Sequence, residues 1–313
     1  MHRDEPFYLS MYWEPGFNRW LHSALVSWER LGNVVLEEML QVDAKRSSLD
    51  GYPLTELSGS GRVADIMHHA SSARSGTLLV KSRQRQRDVH FIAHFEGDEA
   101  PISHGHPAPA YCVWSWCLNC LSELQLTRLA TNVIPYFVDA CQNWNCQYAL
   151  IEAGRASDTR WGRVHCLSDS TATNFSRRVL VTILNRRRVG DLCARGVFWA
   201  NWFGAAMCAR LGGAAQLVDQ FGQWDDGKDH DLGSVFGESA LLRLTRDVRA
   251  LLPPFVEIVP TTLERAAWLH HRLTHANLLP GSFWPQWTGS AIPRAAGDGK
   301  QRADHSSDGP CVP

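Results

Sequence analysis

Short aromatic runs, each followed by a long amphipathic stretch, constrain the fold of this chain most strongly. The run FYLSMYW at residues 7–13 is flanked by prolines, and its length and aromatic content predict a β-strand. Residues 17–31 repeat apolar side chains at helical spacing, which predicts an amphipathic helix. The same order of strand and helix recurs at residues 110–144 and 196–221. Such a chain has to bury aromatic strands beneath the apolar faces of helices.

The remaining patterns extend this architecture. Residues 43–76 are rich in Ser, Gly, Asp and Arg and predict a loop with a short helix near residues 63–69. A proline within the second helix, Pro135, predicts a kink or a break there, and Gly212-Gly213 predicts an interruption in the third. The further strands are predicted at residues 76–82, 87–98, 110–116, 146–153, 177–184, 196–203 and 239–245, and the further helices at residues 121–144, 205–221 and 261–279.

Strands in adjacent runs mixed with helices predict an α+β fold, a mostly antiparallel sheet covered on one face by amphipathic helices. We expect residues 6–288 to form one α+β domain, and a division into two similar halves, 6–155 and 156–288, is the alternative. Residues 289–313 are polar and rich in Gly and Pro, which predicts a disordered tail.

Composition excludes several classes of protein. Lys and Arg number 31 against 32 Asp and Glu, so no overall field draws the chain to nucleic acid or to an anionic membrane. The first residues carry charges with no apolar core after them, and no run is long enough for a membrane span, so we expect a cytoplasmic protein. The nine cysteines are then expected to be reduced, most of them as small core residues. The oligomeric state is left open.

Metal and cofactor motifs are incomplete. The spacing of Gly59, Gly61 and Ala64 matches a dinucleotide loop, but no buried strand precedes it, so we expect no cofactor. His271 and His275 are four residues apart on a predicted helix, where an exposed face is the simpler interpretation, and His270 falls on the apolar stripe. A zinc hydrolase remains an alternative function, with candidate ligands His104, His106, Cys112, Cys117 and Cys120.

Charged runs suggest two kinds of contact surface. Asp225, Asp226, Asp229 and Asp231 form an acidic loop that lacks the ligand order of an EF-hand and would complement a cationic partner. Nucleic-acid binding is a second alternative function, although a solvated hairpin tip is the simpler interpretation of its basic residues. These basic residues are Lys81, Arg83, Arg85, Arg87, Arg186, Arg187 and Arg188.

The stretch RGVFWANWFGAAMCARLGG, residues 195–213, resembles a signature of bacterial immunity proteins linked to type VI secretion and polymorphic toxins. In that family an aromatic strand leads through a short turn into a helix and then into LGG. The pattern is matched in order, with Ala205 where the family usually has proline. The matching residues are Trp199, Asn201, Phe203, Gly204, Leu211, Gly212 and Gly213.

The resemblance implies a non-enzymatic protein that binds and neutralises a cognate secreted toxin in the producing cell. Looser similarity extends over much of residues 7–253, and the helix at 261–276 and the tail lie outside it. The acidic loop of Asp225, Asp226, Asp229 and Asp231 is our candidate for toxin binding, because many intracellular toxins act on nucleic acid and present basic clefts. The signature itself is expected to be structural.

Overall fold

The chain has an α+β fold, in which ten described strands form one antiparallel sheet in the order β2-β4-β5-β6-β1-β7-β8-β10-β9, with β3 beside β4. The computed structural model describes residues 7–14, 40–42, 48–49, 75–82, 89–96, 111–118, 121–155, 194, 196–222, 232–246 and 260–279. The strands are Phe7–Glu14 (β1), Leu40–Val42 (β2), Ser48–Leu49 (β3), Ser75–Ser82 (β4), Val89–Glu96 (β5), Tyr111–Cys117 (β6), Tyr148–Arg155 (β7), Ala200–Phe203 (β8), Gly233–Phe236 (β9) and Ser239–Arg243 (β10). The helices are Glu123–Asn143 (α1), Ala205–Arg210 (α2), Ala214–Gly222 (α3) and Pro260–His275 (α4).

The aromatic run at residues 7–13 forms a strand, as predicted, and this strand, β1, lies at the centre of the sheet. It pairs with β6 on one side and β7 on the other, so that Ser10 lies opposite both Ser115 and Glu152. The strands predicted at 76–82 and 87–98 are confirmed as the antiparallel pair β4 and β5, and those predicted at 110–116, 146–153 and 239–245 are confirmed as β6, β7 and β10.

Both faces of the sheet are covered at its centre, and the prediction of one covered face is wrong there. Every residue from Leu9 to Glu14 and from Tyr148 to Glu152 is buried, whereas one solvated face would leave alternate residues exposed. Helix α1 packs on the face that carries Trp13 and Trp114, whose rings lie 5.7 Å from those of Phe137 and Tyr136 respectively. Helix α3 packs on the opposite face toward the β9 end of the sheet, where Val218 lies beside Gly233 of β9.

Helix α1 begins at a capping box and runs unbroken past Pro135, so the prediction of a break is wrong. Ser122 Oγ accepts the Gln125 N–H at 3.3 Å, and the Gln125 side chain accepts the Ser122 N–H at 2.9 Å. Pro135 lies on the exposed side of the helix. Val133 and Phe137 on either side of it are fully buried, and their burial offsets the cost of about 3 kcal/mol that an internal proline imposes.

Several predicted elements lie outside the described residues: the helix at 17–31, the short helix near 63–69, the strand at 177–184 and the tail at 289–313. The short strands β2 and β3 were not predicted, because two or three residues carry no alternation that could reveal them. Because β7 pairs with β8, residues 148–155 and residues 200–203 belong to the same sheet. The single domain at 6–288 and its division into two similar halves stay predictions.

Candidate binding surface

Asn201 is a structural residue that shapes the chain before β8. Its side chain is fully buried, its Oδ1 accepts the Phe198 N–H at 3.0 Å, and its Nδ2 donates to the Phe198 carbonyl oxygen at 2.7 Å. These bonds occupy backbone groups that a strand would use for ladder pairing. Strand β8 therefore begins only at Ala200, and the prediction of a strand over residues 196–203 is too long.

The aromatic residues of the signature are core residues. The Trp199 Nε1 donates to Thr245 Oγ1 at 2.7 Å, and the Trp202 Nε1 donates to the Cys146 carbonyl oxygen at 3.1 Å. The Phe203 ring lies 6.0 Å from that of Tyr148. A regular strand would direct Trp199 and Trp202 to opposite faces, but Trp199 precedes β8, and both side chains are buried within this chain.

Gly204 marks a close approach between the start of α2 and the chain before β7. A Cβ atom at this position would lie 2.5 Å from the Cys146 carbonyl oxygen. The Gly204 N–H donates to the Gln147 carbonyl oxygen at 3.0 Å, so the two backbones are bonded at this point. A residue without a side chain is required here for space and not for its dihedral angles, since φ is −68°.

The LGG end of the signature separates α2 from α3, as predicted. Gly212 and Gly213 have φ angles of 99° and 100°, a conformation that other residues rarely adopt. The Gly213 N–H donates to the Cys208 carbonyl oxygen at 2.8 Å, which closes the end of α2. Leu211 is buried in the core.

Two arginines tie α4 to this unit. The Arg272 Nη2 donates to the Leu211 carbonyl oxygen at 2.7 Å, and the Arg210 Nη2 donates to the Ala276 carbonyl oxygen at 2.9 Å. Each guanidinium thus bonds a backbone carbonyl near the end of the other helix. The signature residues therefore hold sheet and helices together, as the sequence predicted for a structural role.

Four cysteines lie in the core as free thiols, as the sequence predicted for most of the nine. They are Cys112, Cys141, Cys146 and Cys208. Burial, reinforced by the neighbouring Cys146, raises the pKa of the Cys112 thiol well above its usual value, and the same causes raise the pKa of Cys141. A raised pKa favours the neutral form of the Cys112 and Cys141 thiols, which is unfavourable for metal ligation or nucleophilic attack.

Most candidate ligands of the alternative zinc site lie outside the described residues. His104, His106 and Cys120 are not described, and only the backbone of Cys117 is. Within the described residues, no group of three or more His, Cys, Asp or Glu side chains is placed to hold a metal ion. The zinc hydrolase stays a prediction about residues 104–120.

Alkaline pH is expected to destabilise the fold in part through Cys208. Burial raises the pKa of this thiol from 9.0 to about 11, so the folded state keeps a proton that the unfolded chain loses. Its contribution to stability is complete below pH 9 and is lost as the pH rises toward 11. Thermal unfolding followed from pH 8 to pH 11 should show a smaller fall in Tm for Cys208→Ala than for wild type. Equal slopes for the two proteins would contradict this assignment.

The histidines of α4 lie where the sequence predicted them. His271 and His275 are exposed, with ring centroids 6.2 Å apart, and His270 is buried. His271 and His275 share one helix face, and two imidazoles alone make an incomplete metal site.

The charged candidates lie largely beyond the described residues. Asp225, Asp226, Asp229 and Asp231 lie outside them, as do Arg83, Arg85, Arg87, Arg186, Arg187 and Arg188. Lys81 belongs to β4, where its backbone pairs opposite His90 of β5. The acidic segment 223–231 connects α3 to β9, and its flanking residues Phe221 and Leu232 are buried.

The described surface beside that acidic segment is the hairpin of β9 and β10. We call residues Gly233–Glu238 the β9 edge, because β9 is the last strand of the described sheet. Val235 and Glu238 are exposed there. Sequence reasoning predicted β10 and missed β9, although the glycine between GSVF and SALLR is a turn signal.

Comparisons with known proteins place few limits on function. No protein-family model matches the chain, and no curated protein matches it. One solved structure with some likeness is described as Pseudomonas aeruginosa T6SS protein PA0821, at 11% identity and a TM-score of 0.45 over 86% of this chain and 72% of that one. A TM-score below 0.5 does not establish a common fold.

The described helices include none that is both long enough and apolar enough to cross a membrane.

Proposed function

We propose that this chain is a non-catalytic immunity protein that binds a cognate bacterial toxin of a type VI or polymorphic-toxin system and neutralises it in the cytoplasm. The observation that carries the proposal is the ordered match of seven residues within 195–213 to the family signature. Four of them, Asn201, Gly204, Gly212 and Gly213, have structural roles that depend on their residue type. Asn201 bridges the Phe198 backbone, Gly204 allows close approach, and Gly212-Gly213 adopts positive φ.

Neutralisation by binding needs a surface complementary to the toxin and no reactive group. The acidic segment with Asp225, Asp226, Asp229 and Asp231 is our candidate for that surface. A toxin that acts on nucleic acid carries a basic cleft, and carboxylates brought over that cleft both steer association and exclude the phosphate backbone. No cofactor enters this function.

Co-expression with the toxin domain encoded beside this gene tests the proposal. We expect restored growth and a stable complex in size-exclusion chromatography, with a Kd in the nanomolar range or below, as for tight inhibitors of similar size. Replacing the four aspartates by asparagine should slow association about tenfold or more at low salt, because electrostatic steering is lost.

A catalytically inactive toxin variant is the control, since it should bind equally well without any effect on growth. Absence of both a complex and protection would overturn the immunity function. Protection without a complex would instead overturn its non-catalytic character.

A further inference from the structure

The β9 edge directs backbone hydrogen-bonding groups away from the sheet. Phe236 and Ser239 face each other across the two-residue turn Gly237-Glu238, in which Gly237 alone has a positive φ, 62°. That geometry is typical of a type II′ hairpin, in which the two residues flanking the turn bond each other. In an antiparallel ladder the alternate residues then turn away, so the N–H and C=O of Gly233 and Val235 point outward from β10.

Helix α3 covers the start of β9 but leaves Val235 exposed. Helix α3 packs at the start of β9, where Val218 Cγ1 would lie 2.9 Å from a Cβ atom on Gly233. Val235 lies two residues further along the same face and is 45% exposed. Among the described residues it and Leu124 are the exposed large hydrophobic side chains. An exposed β-branched residue on an edge strand is a template for a further strand.

The negative charges around the β9 edge favour a basic strand as the added strand. Glu238 in the turn and Asp219 on α3 are exposed carboxylates. The connection that enters β9 carries Asp225, Asp226, Asp229 and Asp231 against the one lysine, Lys228. A second copy paired through β9 would bring its own exposed carboxylates, Glu238 and Asp219, to the same edge, and like charges there are destabilising. A cationic strand meets the exposed carboxylates of Glu238 at the turn and of Asp219 on α3, the helix that packs at the start of β9.

We infer that the cognate toxin adds a basic β-strand to β9, next to Val235, as its main contact with this protein. This inference rests on the proposed function and names the element through which it acts. Main-chain hydrogen bonds to Gly233 and Val235 supply the affinity, and the side chain of Val235 packs against the added strand. The carboxylates set the orientation and the association rate.

Val235→Pro tests the strand addition directly. Proline removes the outward N–H and is tolerated on an edge strand, and the pairing of β9 with β10 does not use that group. We expect the Kd for the neighbouring toxin domain to rise about tenfold to a hundredfold, from the lost hydrogen bond and the steric block. Val235→Thr keeps the N–H and the β-branched shape and is expected to lose much less. The Tm of each variant shows whether the fold is retained.

Amide hydrogen exchange gives a second measurement that needs no substitution. The Val235 amide of the wild-type protein should become protected when the toxin domain binds. Full affinity of a folded Val235→Pro, or unchanged exchange at Val235 in a wild-type complex, would overturn the inference and leave the immunity function standing. Failure of the wild-type chain to bind or protect would instead remove the proposed function. Self-association lost in Val235→Pro would assign the edge to a second copy and also overturn the inference.

Discussion

Gly204→Ala is expected to lower the free energy of unfolding by about 3 kcal/mol, a large effect for the addition of one methyl group. The new Cβ would lie 2.5 Å from the Cys146 carbonyl oxygen and 3.0 Å from Gln147 Cα, and both of these are backbone atoms. They cannot move aside, because the Cys146 carbonyl accepts the Trp202 Nε1–H and the Gln147 carbonyl accepts the Gly204 N–H. The dihedral angles of Gly204, φ −68° and ψ 170°, suit alanine, so the whole effect is steric.

Gly222→Ala is the matched control. Gly222 is the last residue of α3, and a Cβ atom there would meet nothing within 4 Å. Alanine at such a site is neutral or stabilises by up to about 1 kcal/mol. Urea denaturation of both variants measures the difference, and equal stabilities would contradict the close approach at Gly204.

Local patterns predicted the strands and helices whose side chains alternate over many residues. β1, β6 and β7 came from aromatic and β-branched runs, and α1 from a stripe that includes Leu129, Val133 and Phe137, all of which are buried. These elements are long enough for periodicity to outweigh the exceptions within them. Pro135 shows the limit, since packing on the sheet kept the helix intact where local propensity predicted a kink or a break.

Features that depend on neighbours in space were not predictable. Burial of both faces at the centre of the sheet depends on packing between segments distant in sequence, and β8 is short because a side chain, Asn201, bonds the backbone before it. The β9 edge is an edge only because the order of the strands places it last. A sequence gives the strands but not that order.

For the candidate site the sequence predicted the signature residues as structural, and the structure gives each a contact. It also proposed the acidic loop at residues 225–231, which stays a prediction, since those residues lie outside the described ones. Val235 was overlooked because a single valine in a four-residue strand has no distinguishing pattern. Its exposure becomes visible only once the cover by α3 is known.

Asn201→Leu is expected to cost about 2 to 6 kcal/mol of stability. The substitution keeps a similar volume but leaves the Phe198 N–H and carbonyl oxygen buried without the bonds of 3.0 Å and 2.7 Å that Asn201 supplies. Loss of a hydrogen bond to a buried backbone group costs about 1 to 3 kcal/mol. Asn132→Ala is the control, because the Asn132 side chain makes a single bond to the Arg128 carbonyl oxygen on a partly exposed helix face. That change should stay within about 0.5 kcal/mol of wild type.

Asn201→Asp separates the donor from the acceptor in the same bridge. An ionised aspartate can still accept the Phe198 N–H, but it faces the Phe198 carbonyl oxygen without a proton and buries a charge. The protonated acid can donate to that oxygen and restores both bonds. Because the folded state then holds a proton that the unfolded chain releases near pH 4, the variant gains stability as the pH falls and loses it as the pH rises. Relative to wild type, the Tm of Asn201→Asp should therefore recover between pH 7 and pH 4, while the deficit of Asn201→Leu stays constant. A constant deficit for both variants would show that Asn201 acts through its shape and not through its two hydrogen bonds.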